Sequence, residues 1–551
     1  MCKKLLPIVL IFISGISCSK NENLLNPPKP VIPTEKLKGK IPVDLNRTYD
    51  VVIYGGTMAG IIAALEIKSS GKSVIIVNPP QTSIGGMTAN GLGITDVLNT
   101  DLLWGLTRKF YQDIKKYYNN QSSWFYGKPF DYARYHYNGD VMIWFEPRAA
   151  ISVINQYILD NEIPILYNER LLLDKEIVKD ENGAISYLEM ESGVKIKGNV
   201  YIDATYEGDI MAKAGVSYTI GREGNEVYGE RSNGVQLLAK FDRNEIPDGI
   251  NAQIENIESN IGSHGSGDER IQAYCYRMCL TNVPANRVAF TKPIGYNERE
   301  YYLLFEYIKY YKGKTFFDLM PLPNGKTDSN NFGAVSTDYV GENYKYPDGN
   351  YQEREIITQK HKNYQMGLLW TLANHPNIPL EIRQFYQKWG LAKDEFQDNG
   401  NWPKQLYIRE GRRMLSEYVM TENNCIGKIK AEKAVGMGDY PMDSHIVRRF
   451  RDGRGFIKNE GQVMAAVRNP YPIDYRSIIP RKEDCSNLFV PICLSASHIA
   501  YASIRMEPVF MSLGQSSAVA AILAIDKNIP VQDIDYSELL MELKNRGIVL
   551  K

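Results

Sequence analysis

The stretch "YDVVIYGGTMAG", residues 49 to 60, restricts the fold more than any other part of the chain. An apolar run from Asp50 to Tyr54 enters a glycine-rich turn and then an apolar helix, Ala59 to Ser70. That helix stops at Gly71 and gives way to a second apolar run, Ser73 to Val77. Such runs suit strands buried on both faces, and strand, helix and strand together make a parallel β-α-β unit. The G-x-G-x-x-G register puts Gly55 at the tight turn and Gly60 where helix meets strand, with Thr57 in place of the second glycine. Gly56 keeps the loop small. Thr57 has a hydroxyl and an N–H to offer a phosphate oxygen at the helix N-terminus, where the dipole favours an anion. Residues 55 to 60, Met58 and Ala59 included, are therefore a candidate pyrophosphate site. The position after the second strand, which usually carries an acid for an adenosine ribose, is Asn78; an amide accepts one such bond without the strength of a charge.

A second glycine-rich loop, "IGGMTANGLG" (Ile84 to Gly93), follows directly, and a simple NAD domain has no use for one there. Much later "VYIDATYEGD" starts at Val200 as a strand and ends in small and acidic residues. With "LTNVPANRVAFTKPIGY", "WGLAKDEF", "WPKQLYIREGRRM" and "LSASHIAYASIRMEPVFMSLGQSSAVAA", these stretches resemble the FAD-dependent oxidoreductases of the glutathione-reductase-like superfamily. The likeness is greater to a bacterial family of FAD-dependent oxidoreductases and more distant to the heterodisulfide reductase A flavoproteins.

The resemblance implies an α/β fold: a discontinuous Rossmann-like FAD-binding domain with a small crossover β-sheet, plus a mixed α+β cap. Residues 48–225 and 470–551 would form the first and 226–469 the second. It implies that Gly55 to Gly60 bind the FAD pyrophosphate and that Gly85, Gly86, Met87 and Thr88 lie along the phosphates and flavin. Asp203 to Asp209, with Ala204, Thr205 and Gly208, would close over the cofactor. Gly514, Gln515, Ser516 and Ser517 read as the opening of a small-residue helix running to Ala524, whose N-terminus can stabilise negative charge on a reduced flavin. Close helix packing explains the same small residues. In the cap, Ile357, Tyr364, Leu368 and Leu372 recur at helical spacing from Arg354 to Asn374. Ser186 to Gly198 reads as a hairpin of the crossover sheet, and Pro323 to Gly341 as a polar loop too long for a plain connector.

Flavin carries the hydride chemistry, so the chain must orient a substrate and handle a proton. Candidates are Tyr407, Arg409, Arg412, Arg413, His445, Tyr475, Arg476, His498 and Arg505. Arg409 with Arg412 or Arg413 has the spacing of one helical face, a clamp for a carboxylate or hydroxyl, although solvated arginines explain the spacing as well. His445 and His498 are candidates for moving that proton because imidazole as a residue type works near neutral pH, although a lone histidine can equally be structural. Trp124, Phe125, Tyr126, Phe130, Tyr132, Tyr135, Tyr137, Trp144 and Phe145 suit stacking on sugar or cofactor rings and suit core packing equally.

Composition sets the outer limits. Lys+Arg and Asp+Glu are 64 each in 551 residues, so no net field draws nucleic acid or an acidic membrane. Lys3 and Lys4 precede an apolar run to Ile13 and small residues up to Cys18, the pattern of an export signal, residues 1–18, ending at a lipid-acceptor cysteine. Residues 19–47 read as a flexible tether. The expected address is outside the cytoplasm, on the periplasmic or outer-membrane face, held to the membrane only through Cys18. Cys275, Cys279, Cys425, Cys485 and Cys493 lack the spacing of an iron–sulfur ligand set, though Cys275 and Cys279 could share a helical face. The leading expectation is an exported FAD-dependent oxidoreductase acting on a small polar substrate, with a sugar derivative suggested by that address and the electron acceptor left open. The competing readings are an electron-transfer flavoprotein with an iron–sulfur cluster and a surface glycan-binding protein with a vestigial flavin fold.

Overall fold

The computed structural model of the chain describes residues 41–550, apart from residues 81, 137–138, 238–244, 255–256, 260 and 332. The export signal, Cys18 and most of the tether lie outside the described residues. The described chain is mixed α/β with several sheets.

The β-α-β unit forms as the apolar pattern requires. Strand β1 (Thr48–Tyr54) pairs in parallel with β2 (Val74–Asn78), Val51 opposite Val74, and helix α1 (Met58–Ser69) joins them. Parallel pairing continues to β3 (Ile165–Tyr167) on one side. On the other side β1 meets the later strand Lys195–Asp203, which in turn pairs with Leu488–Phe489. The short strand β4 (Leu188–Glu189) folds back antiparallel on Lys195–Asp203, labelled β5. The expected hairpin at 186–198 is therefore present, and antiparallel bridges join Met190 to Leu171 and Ile185 to Lys179. The sheet order from one edge is Leu488–Phe489, β5, β1, β2, β3. Every β2 side chain is buried, as is the apolar half of β1.

A second, five-stranded sheet holds β6 (Met278–Thr281), β7 (Arg287–Val288), β8 (Asp318–Leu322), β9 (Lys326–Asn330) and β10 (Gly390–Ala392), in the order β8, β9, β6, β10, β7. The polar stretch 323–341 is thus not all loop: its first part is a tight turn and strand β9, which buries Lys326, Thr327, Asp328 and Ser329. Cys279 lies on β6, so Cys275 and Cys279 share no helix. Helix α2 (Tyr351–Asn374) covers the expected span and starts three residues earlier, where the Asn350 side chain and Glu353 close a capping box. Two strands complete the frame of the site: β11 (Met442–Ser444) and β12 (Arg448–Arg451), the latter paired with β13 (Ile457–Glu460).

Two C-terminal helices return to the first sheet, α3 (His498–Ile504) and α4 (Glu507–Lys527). Gly514 lies against α1, where a Cβ would run into the Ala59 carbonyl oxygen. One continuous apolar core holds side chains of the parallel sheet, of β6 and of α4 together.

Candidate active site

The turn between β1 and α1 is built around its glycines. Gly55 has φ +106°, and a Cβ there would sit 2.7 Å from the Ala204 carbonyl oxygen. A Cβ on Gly56 would lie 2.5 Å from both Asn78 Oδ1 and Ile84 Cδ1. Thr57 caps α1 by accepting the Gly60 N–H, and its own hydroxyl donates to the Ala204 carbonyl at 2.7 Å. Asn78 Oδ1 accepts the Gly56 N–H at 2.9 Å, while its Nδ2 donates to the Thr82 carbonyl. Both side chains therefore brace the turn. The Thr57 hydroxyl proton is not free for a phosphate, and Asn78 holds the glycine loop rather than standing open for a ribose. What remains for an anion is backbone: Met58 and Ala59 sit in the first turn of α1, where N–H groups have no intrahelical acceptor.

The second glycine loop meets the far end of the chain through Glu507. This buried carboxylate accepts from the Thr88 hydroxyl at 2.8 Å and from the Tyr206 hydroxyl at 2.7 Å, while Tyr206 Oη accepts the Met87 N–H. Burial pushes the Glu507 carboxyl up to about 7. The segments 84–93, 203–209 and the start of α4 thus converge, but not through the residues expected. Helix α4 begins at Glu507, so Gly514, Gln515, Ser516 and Ser517 lie two turns inside it. Gly514 packs on α1, Gln515 donates to Glu66 and accepts the Leu106 N–H, and Ser516 donates to the Val435 carbonyl. Pro508 in the first turn is the sequence signal for the true start. Asp203 also faces inward: it accepts from the Thr205 hydroxyl and N–H and from the Met211 N–H, and burial raises it to about 6. It fixes the turn that Gly208, at φ +68°, completes.

Both segments continue from this cradle into a buried cluster of charges. Beyond Thr88, a Cβ on Gly91 would run into the Arg277 carbonyl, and the N–H groups of Gly93 and Ile94 donate to Asp328 at 3.1 Å. Arg277 grips Asp328 with Nε and Nη2 at 3.0 and 2.5 Å. Two residues before Glu507, Arg505 donates to the Tyr407 hydroxyl at 2.7 Å and lies 3.7 Å from Asp443. Arg409 pairs with Asp338 at 3.0 Å, and its guanidinium lies 4.7 Å from the Tyr407 ring centroid. His445 Nδ1 is 2.9 Å from Asp338 Oδ2 and 2.8 Å from Asn331 Nδ2, and its Nε2 is 3.5 Å from Asp443. Against the cost of burial, Arg409 and His445 hold Asp338 below the usual carboxylate range, and His445 and Arg505 do the same for Asp443. Asp96, on the loop beyond Gly93, has no ion pair among the described residues. Burial raises its carboxyl, opposed by Arg277 and Arg505.

Three of the expected catalytic residues, Arg409, His445 and Arg505, are thereby brought together. Arg412 and His498 are not. The 409–412 stretch is not helical, and Arg412 turns to Asp209 at 2.8 Å and Asp348 at 2.8 Å, beside Arg354, which also grips Asp209. These two arginines, against the cost of burial, hold Asp209 down to about 2. His498 Nδ1 bonds Glu410 at 2.7 Å, and its Nε2 contacts the hydroxyl of Ser444, whose neighbours Asp443 and His445 serve the cluster. Alternation along β11 sends Asp443 and Ser444 to opposite faces, so His498 braces the strand from behind. Arg413 pairs with Glu223 and Glu410. Tyr475 donates to the Val531 carbonyl, and Arg476 pairs with Asp474. Asp96, Arg277, Asp328, Asp338, Asp443 and Glu507 were not legible as a group, because they come from distant segments; the polar stretch 323–341, which carries Asp328 and Asp338, was the one signal that pointed to it.

A family model described as "FAD dependent oxidoreductase" matches residues 50–543. The chain belongs to this family of FAD-dependent oxidoreductases. No curated protein matches it. Among solved structures, it is similar to L-amino acid deaminase from Proteus myxofaciens in complex with anthranilate, at 14% identity over 33% of this chain and 53% of that one, with a TM-score of 0.23. L-proline dehydrogenase from P. horikoshii gives 14% identity over 32% of this chain and 59% of that one, with a TM-score of 0.22. The chain thus spans little more than half the length of these matched structures. The residues present fit the cofactor of the family: a turn so tight that a Cβ at Gly56 would run into Asn78 and Ile84, a helix N-terminus, and a second loop tied to the start of α4.

Proposed function

We propose that the parallel sheet and its helices are a Rossmann-like domain, 48–225 with 470–551, that holds FAD between Gly55–Gly60 and the loop Gly85–Thr88. The cap, 226–469, closes a substrate site over it. The reaction is oxidation or reduction of a small polyhydroxylated substrate, a sugar derivative, at His445. One observation carries this reading: the segments 88–96 and 505–507 both run from the cradle directly into the Arg–Asp–His cluster.

FAD, when bound, supplies the acceptor or donor of a hydride. The chain supplies the rest. With the Nδ1 proton of His445 held by Asp338, Nε2 is the atom left to take a hydroxyl proton, and Asp443 stabilises the imidazolium that results. Arg277, Arg409 and Arg505 each face an aspartate. A cluster so paired carries little net charge and presents alternating donors and acceptors, which suits hydroxyl groups. Burial excludes water and strengthens each of these bonds.

The test is the visible spectrum of purified protein, repeated anaerobically against sugars and hydroxy acids. Bound flavin that bleaches with one of them is expected. Protein that takes up no FAD on refolding would instead match the vestigial, glycan-binding reading. The exported, lipid-anchored address belongs to the same proposal: palmitate labelling should be lost on Cys18→Ala.

A further inference from the structure

The arginines around His445 are all paired with aspartates, but Arg449, four residues on, is not. It is half-buried on β12, and it forms no ion pair among the described residues. Its Nε donates to Asn459 Oδ1 at 3.2 Å and its Nη2 reaches the Ala334 carbonyl at 3.4 Å, which leaves Nη1 uncommitted among the described residues. Its neighbour Arg448 shows the contrast, with Glu460, Glu258 and Asp268 all within ion-pair distance. The loop that holds Arg449 through Ala334 also positions the proposed base: Asn331 and Asp338 both contact His445 Nδ1. Asp338, Tyr339, Tyr344 and Tyr364 are the groups that act on the guanidinium electrostatically, and burial still lowers its pKa against them. A cation so placed, with one open nitrogen, no ion pair among the described residues and Asp338 acting on it only through space, is stabilised by an anion brought from outside.

We propose that Arg449 recognises a carboxylate of the substrate, so that the site takes an acidic polyhydroxy compound, of uronate or aldonate type, in preference to a neutral sugar. This rests on the reading of the His445 cluster as the substrate site. The two ends of that cluster then differ in role. Asp96, which has no ion pair among the described residues, accepts substrate hydroxyls, and Arg449, held by the loop that carries Asp338, fixes the acid group and with it the register of the substrate against His445.

Calorimetric titration of the FAD-loaded protein with D-glucuronate and D-glucose tests this. The wild type should bind glucuronate about 10- to 100-fold more tightly, the range set by a charge-assisted hydrogen bond. Arg449→Gln should remove that preference while leaving glucose binding and FAD content unchanged, and Arg449→Lys should restore part of it. Added salt should weaken glucuronate alone, a readout that needs no variant. Equal binding of the two sugars, a preference that survives Arg449→Gln, or salt-insensitive glucuronate binding would overturn the inference; the site reading would stand if glucose still bleached the flavin in a His445-dependent way. Binding of neither sugar, with no bleaching, would overturn both.

Discussion

At the scale of single residues, His445 and Asp96 separate chemistry from stability. His445 is tied to the fold through Asp338, so His445→Gln keeps a hydrogen-bonding side chain of similar reach and removes the proton acceptor. Turnover should fall by about 10²- to 10⁴-fold with FAD content unchanged, as measured by anaerobic flavin reduction and by cofactor release. Asp96 works the other way. Its carboxyl is raised from 3.8 by burial, so its contribution to stability is full below that value and is lost as pH rises through the folded pKa. At neutral pH the buried charge is a cost. Asp96→Asn should therefore raise the melting temperature at pH 7 by about 1–2 °C while lowering turnover, and the gain should vanish in acid. A variant less stable at pH 7 than the wild type would show that Asp96 has a native partner.

At the scale of elements, the contact of α1 with α4 decides whether the pyrophosphate turn is held in place. Alanine is the better helix former by about 1 kcal/mol, so Gly514→Ala would stabilise an unobstructed helix. Here the new methyl meets the backbone of Ala59, which cannot turn aside, and overpacking costs about 1–3 kcal/mol. The clash outweighs the propensity: Gly514→Ala should lower the melting temperature of the apoprotein and weaken FAD binding as α1 shifts. An unchanged apoprotein with weaker FAD binding would instead return 514–517 to the cofactor. This element also marks what the sequence could convey. The β-α-β unit and α2 were legible because their periodicity is local, and Asn350 and Glu353 announce the cap of α2. The start of α4 was missed because small residues draw attention to positions 514–517, whereas Glu507 and Pro508 set the terminus. Arg409 and Arg412 fit a helical spacing, but the chain there is not helical and sends them to Asp338 and Asp209. Spacing along a chain fixes a shared face only once the conformation is known.

At the scale of the whole molecule, buried carboxyls set the pH dependence of stability. Burial raises Asp203 to about 6, and Glu207 and Glu507 to about 7, from 3.8 and 4.5. Each contributes stability that is complete below its unfolded pKa and is lost as pH climbs to the folded one. Asp209 and Glu223 are held down to about 2, against the cost of burial, by Arg354 with Arg412 and by Arg413 respectively. Their stability is present above about pH 4 and is lost as pH falls toward 2. The lowered group is fully stabilising above about pH 4, and the raised group fades from about pH 4 up to about 6 to 7, so the apoprotein should melt highest near pH 4–5 and lose stability toward pH 7.5. Glu507→Gln should flatten the alkaline limb, since the amide has no charge to bury, and should leave the acid limb intact. Melting curves of wild type and variant across pH 3–8 decide it: an alkaline limb as steep in Glu507→Gln as in the wild type would mean that the Thr88 and Tyr206 hydroxyls already offset the burial of that charge.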